Sequence, residues 1–132
     1  MDLLFINQEA ENTGCGIAVI AMILQIPFKS VSARVNELQL CKHDQKVTVF
    51  QMKEMLKLIF DVDKIPSKRA KHFDQNKNYV CYCRWEGKKF YHWIIYANRA
   101  FYDPLEKMPV PVTKHLLTSL YLIPDKSAHS FL

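Results

Sequence analysis

Glycine is scarce in this 132-residue chain, with three in all, and proline occurs only six times. A sequence so poor in both has no low-complexity tract and no evident linker, and no internal repeat is visible. Long hydrophobic runs are missing too. The longest, Ile17 to Leu24, falls well short of the ~20 residues that a membrane-spanning helix needs. The first residues, Met1-Asp2-Leu3-Leu4-Phe5-Ile6, lack the basic start and apolar stretch of a secretory signal. The expectation is a cytoplasmic chain with no membrane partner, unless it is secreted or delivered as part of a longer parent.

Cysteine is present four times, as Cys15, Cys41, Cys81 and Cys83, but without the look of a small disulfide-stapled scaffold. Cys81 and Cys83 alternate along one strand-like segment and are poorly placed to pair, so reduced thiols are expected. No well-spaced four-ligand zinc set is visible, and neither a metal nor an organic cofactor is expected. The net charge of +5 comes from lysines scattered through Lys42–Lys46, Lys64–Lys71 and Lys88–Lys89. They lack interleaved aromatics or glycine motifs, so solvated faces rather than nucleic-acid binding are expected.

What remains is an ordinary globular balance, 49% hydrophobic and 23% charged. It predicts a single domain over residues 1–132 that buries a core of its own. From Cys15 to Leu24 nearly every residue is apolar, which predicts a helix buried on all sides in the middle of the fold. Asn12 or Thr13 is expected to cap its start, and Pro27 to end it. Ser30 is expected to cap a second helix carrying Val31, Val35 and Leu38. Thr48-x-x-Gln51 is a capping-box pattern opening a third, with Val49, Met52, Leu56, Ile59 and Phe60 on its apolar face.

Past a basic connection the period changes. Tyr79 to Trp85 reads as an aromatic-rich strand, Lys88 to Ala97 as a second after a turn at Glu86-Gly87, and Ala100 to Asp103 as a third after Asn98-Arg99. A further strand is expected at Leu120 to Ile123. Helices first and an antiparallel sheet after them make an α+β domain.

The hairpin at Asn98-Arg99 carries the chemistry. With a two-residue loop, Ala97 faces Ala100 and Ile94 faces Asp103. His92 then shares a face with Asp103, diagonally across the pair, with Cβ atoms within ~7–8 Å. A three-residue loop would separate them. Such a carboxylate fixes an imidazole's tautomer, leaving its other nitrogen to take a thiol proton. Cys15 supplies a thiol at the start of the buried helix, where backbone N–H groups, the macrodipole and a nearby imidazolium favour thiolate. The Cys15 N–H can also face a developing oxyanion, and the Gln8 amide is suited to be the second donor. Cys81 is a competitor. If Glu86-Gly87 is a two-residue turn, it faces His92 directly, but it and Cys83 lack helix-end activation and are expected in the core. His43, His72, His115 and His129 are expected at the surface.

The ordered set Gln8-x6-Cys15-Gly16-x-Ala18-x2-Ala21-Met22, then His92-Trp93-Ile94-Ile95, then Tyr102-Asp103-Pro104 resembles the double-glycine-leader (bacteriocin-processing) peptidases and related papain-like cysteine peptidases. The resemblance runs from Gln8 to Pro104. It implies a papain-like fold in which the central helix bears nucleophile Cys15. His92 would be general base and acid, Asp103 would orient it, and Gln8 would serve the oxyanion hole. The residue before the nucleophile, commonly Asp in that family, is Gly14 here, and residues 41–78 carry no recognisable groove motif. The resemblance therefore implies thiol-dependent cleavage of a peptide or protein substrate. A bacterial toxin or effector that deamidates glutamine or transfers an acyl group would use the same triad, with an inhibitor or immunity protein as partner. A non-catalytic papain-like binding module is the reading from another class.

Overall fold

The computed structural model describes residues 1–7, 14–40, 46–84 and 91–129. Three helices, α1 (Cys15–Leu24), α2 (Phe28–Glu37) and α3 (Val49–Phe60), precede five strands, β1 (Ser67–Arg69), β2 (Tyr79–Arg84), β3 (Tyr91–Ala97), β4 (Ala100–Tyr102) and β5 (Leu116–Leu122). The strands form one antiparallel sheet in the order β1-β5-β2-β3-β4. The chain is α+β, as its change of period predicts.

Every residue of α1 except Leu24 is buried, so an all-apolar run becomes the centre of the core. The helix stops at Gln25, which turns left-handed at φ 58°, and α2 leaves at 109° to it. No single helix among the described residues is long and apolar enough to cross a membrane. Two capping expectations need correcting. Gly14 is the N-cap of α1 and makes no side-chain cap bond, while Asn12 and Thr13 lie outside the described residues. Ser30 falls inside α2, whose N-cap is Pro27, because proline's fixed φ suits the chain just before a first turn. The α3 capping box forms as the sequence predicts. Gln51 N–H donates to Thr48 Oγ1 at 3.1 Å and Thr48 N–H to Gln51 Oε1 at 2.9 Å.

The sheet has two dressed faces. Val80, Trp93, Ile95, Ala97, Tyr121 and Ile123 pack with the buried faces of the helices. Tyr79, Cys81, Cys83, Ile94, Tyr96, Phe101 and Leu120 form a second cluster on the opposite face. Residues of one strand alternate between these clusters, so pairing register decides which side chains can meet.

Two registers matter most. At the β3–β4 turn, Asn98 and Arg99 both take positive φ, 54° and 60°, the pattern of a two-residue type I′ hairpin. Ala97 pairs with Ala100 and Ile95 with Tyr102, as the sequence predicts. The β2–β3 link is longer than the expected two-residue turn, since Arg84 pairs with Tyr91 and the residues between lie outside the described ones. That longer link corrects the expected facing partner of His92. Cys83 stands opposite it, and Cys81 pairs with Ile94.

Candidate active site

The start of α1 is brought against β3 by the absence of a side chain. A Cβ on Gly16 would sit 2.6 Å from Val47 Cγ2 and 3.2 Å from Trp93 Cδ1. Only glycine admits this approach without displacing neighbours. Trp93 is held in turn by its indole N–H, which donates to the Val47 carbonyl at 2.9 Å. Gly16 and Trp93 adjoin Cys15 and His92 in the chain, so this contact fixes where the start of α1 sits along β3.

Of the four sequence-predicted residues, the structure joins His92 and Asp103 directly. His92 Nε2 lies 2.7 Å from Asp103 Oδ1, a direct result of the two-residue hairpin that puts both on one face. Cys15 acts on the same ring, as a hydrogen-bonding influence and by charge, and both raise it. β4 pairs with β3 only from Ile95 to Ala97, so neither Cys15 nor Asp103 approaches His92 across a paired strand. Gln8, the fourth, lies outside the described residues.

A fifth residue belongs to the cluster, against its expected surface position. His115 is 5% exposed, and its Nε2 lies 3.1 Å from Asp103 Oδ2. Its ring packs edge-on against His92, with centroids 5.1 Å apart and planes at 69°. The cause is an irregularity in β5. Tyr82 pairs with Ser119 but Cys83 pairs with Leu117, so one residue, Thr118, is extra. Thr118 Oγ1 bonds the Tyr82 carbonyl at 2.7 Å there. The shift reverses facing for everything before it, which carries position 115 onto the His92 side; unbroken register would put it on the helix side.

The electrostatics follow from this geometry. Burial works against a charged His92 ring. The hydrogen bonds to Asp103 and Cys15, and the charges of both, outweigh it and lift the ring to about 9. Burial likewise favours a neutral Asp103. Hydrogen bonds from His115 and His92, the His92 charge and the Leu105 N–H (2.9 Å) instead hold its carboxyl well below the usual carboxylate range. Burial pushes the thiols of Cys81 and Cys83 far up, and both sit in the core as the sequence predicts. Cys15, Cys81 and Cys83 are all free thiols.

The ligand atoms of His92, Asp103 and His115 lie within 4.8 Å of one another, a spacing that could hold a metal ion. Each imidazole already has its own carboxylate oxygen, however, and no further His, Cys, Asp or Glu among the described residues joins the set. A cleft of about 1060 Å³ opens elsewhere, at the C-terminal end of α1, lined by Ile23, Gln25, Phe60, Asn78, Ile123 and Lys126 among others. None of the clustered residues lines it. No protein-family model, curated protein or solved structure matches this chain.

Proposed function

We propose that this protein is a papain-like thiol hydrolase in which Cys15 is the nucleophile, His92 the general base and acid, and Asp103 the group that orients His92. The observation that carries the reading is a single ring with two partners. His92 is bonded through Nε2 to the buried carboxylate of Asp103, and Cys15 acts on the same ring as a hydrogen-bonding influence and by charge. With Nε2 committed to Asp103, Nδ1 is the nitrogen that exchanges a proton with sulfur.

The chemistry follows in two halves. The Cys15 thiolate attacks an acyl carbon, and the tetrahedral oxyanion forms near the first turn of α1, whose N-cap makes no side-chain bond to its N–H groups. His92 then gives its proton to the leaving amine, leaving a thioester on Cys15. Water attacks the thioester, His92 takes its proton, and the acid leaves as the thiol is restored. Ionised Asp103 supports the imidazolium through both halves. The substrate under this reading is a peptide or protein amide.

Competitive alkylation with iodoacetamide, read by peptide mass spectrometry, tests this. Near neutral pH, Cys15 is expected to react faster than a free thiol and well ahead of Cys81 and Cys83, with the advantage lost in His92→Ala. A Cys15 no more reactive than free cysteine overturns the reading. Incubation with a peptide library then separates chain cleavage from an amide-to-acid change.

A further inference from the structure

We propose that His115 is a positioning residue for the Cys15–His92 pair: by engaging Oδ2 of Asp103, it fixes the carboxylate so that Oδ1 stays on His92. The inference rests on the thiol-hydrolase reading and adds to it a residue that acts through Asp103.

A carboxylate facing one imidazole is free to turn about its last bond, exchanging one oxygen for the other. Asp103 is not so placed. Oδ1 receives His92 Nε2 at 2.7 Å and the Leu105 N–H at 2.9 Å, while Oδ2 receives His115 Nε2 at 3.1 Å. With donors on both oxygens, the group cannot exchange one for the other without breaking a bond. His115 is itself anchored, because its backbone N–H donates to Thr113 Oγ1 at 3.2 Å and its ring lies against His92. Side chains of all three residues are at most 3% exposed, so water is poorly placed to replace a lost donor. A buried carboxylate deprived of one charge-assisted bond loses both orientation and part of its support as an anion. The β5 bulge serves this contact, since without the extra residue His115 would face the helices.

The test compares His115→Phe, which keeps an aromatic ring without a donor, with His115→Gln, which keeps an N–H. Two readouts apply to the whole chain: Cys15 alkylation across pH, and histidine-ring proton–nitrogen NMR of His92. In H115F, alkylation is expected to fall about ten-fold. The His92 Nε2 proton should exchange faster with water, and the acid inflection that His92 reports from Asp103 should move upward. H115Q should recover most of the rate and the protected proton. If H115F does not fold, H115Q alone decides, and loss of the protected proton there overturns the proposal. Wild-type behaviour of H115F in both readouts also overturns it, as does equal damage in H115F and H115Q, which would make His115 merely structural. So does stoichiometric Zn²⁺ that blocks alkylation of the wild type and spares H115F, which would make the cluster a metal site. If wild-type Cys15 proves no more reactive than free cysteine, the hydrolase reading fails, and the NMR comparison still judges whether His115 fixes Asp103.

Discussion

Two thiols stand beside His92, and they meet different parts of it. Cys83, directly opposite on β2, donates to the His92 backbone carbonyl at 3.2 Å. Cys15, at the start of α1, acts on the imidazole itself, as a hydrogen-bonding influence and by charge. The first contact belongs to the sheet, and burial, with the nearby charges of Cys81, Asp103 and Cys15, pushes the Cys83 thiol far up. The second belongs to the site, and the ring is lifted to about 9 partly because of Cys15. Proximity to a histidine therefore does not make a nucleophile. Under the proposed mechanism the nucleophile is the thiol that acts on the ring rather than on the backbone.

Asp103→Asn breaks the ring side of that contrast most severely. It removes the negative charge that supports the imidazolium but keeps the shape of the side chain. Under the proposed mechanism, alkylation and hydrolysis should fall about ten- to a hundred-fold. The pH dependence sharpens the point. His92 must be protonated to release the leaving group, so wild-type activity should be lost as pH rises through about 9. In D103N this alkaline limb should move to lower pH, because two of the influences that raise the ring are gone. The same pair gives a stability profile with two edges. The His92 contribution is full below its ordinary 6.5 and is lost as pH rises through about 9. The Asp103 contribution is present above its ordinary 3.8 and is lost as pH falls further toward its depressed value. Denaturation midpoints across pH should show the alkaline edge in the wild type and a diminished one in D103N.

Gly16→Ala attacks the close approach of the start of α1 to β3. The new methyl would meet the β-branched side chain of Val47, whose Cβ as well as Cγ2 lies within 2.7 Å. A branched side chain has little room to turn aside. The helix gains up to about 1 kcal/mol from losing a glycine, while overpacking costs about 1–3 kcal/mol. A net loss of stability is expected, seen as a lower urea midpoint. A second, separable effect is slower Cys15 alkylation in the folded fraction, as α1 backs away from Trp93 and its neighbour His92.

Much of this was legible in the sequence, for reasons specific to each element. The α1 run was readable because it is apolar on every side, and α3 because Thr48 and Gln51 satisfy each other's backbone without tertiary help. His92 and Asp103 could be placed on one face because Asn98-Arg99 closes the shortest hairpin, so parity follows from counting. The β2–β3 register could not be counted, since Glu86-Gly87 resembles a tight turn whether or not the chain uses it. His115 was the most hidden. A bulge at Thr118 reverses its facing, and that depends on the pairing of β2 with β5 rather than on any local residue preference. Its polar sequence context, beside Thr113 and Lys114, made a surface position the natural expectation.

Cys83→Ala is the mildest change and addresses the comparison most directly. The side chain is fully buried and lies opposite His92 in the ladder, so a small cavity and one weak S–H bond are lost. The cost should be about 1 kcal/mol of stability. Alkylation of Cys15 should stay within about two-fold of wild type, because the His92 carbonyl that Cys83 contacts takes no part in proton transfer. Mass spectrometry of the alkylated variant, beside a thermal melt, measures both. A loss comparable to that of Asp103→Asn would mean that Cys83, by bracing the backbone of His92, controls the ring as strongly as the carboxylate does. The two thiols would then differ in reach rather than in kind.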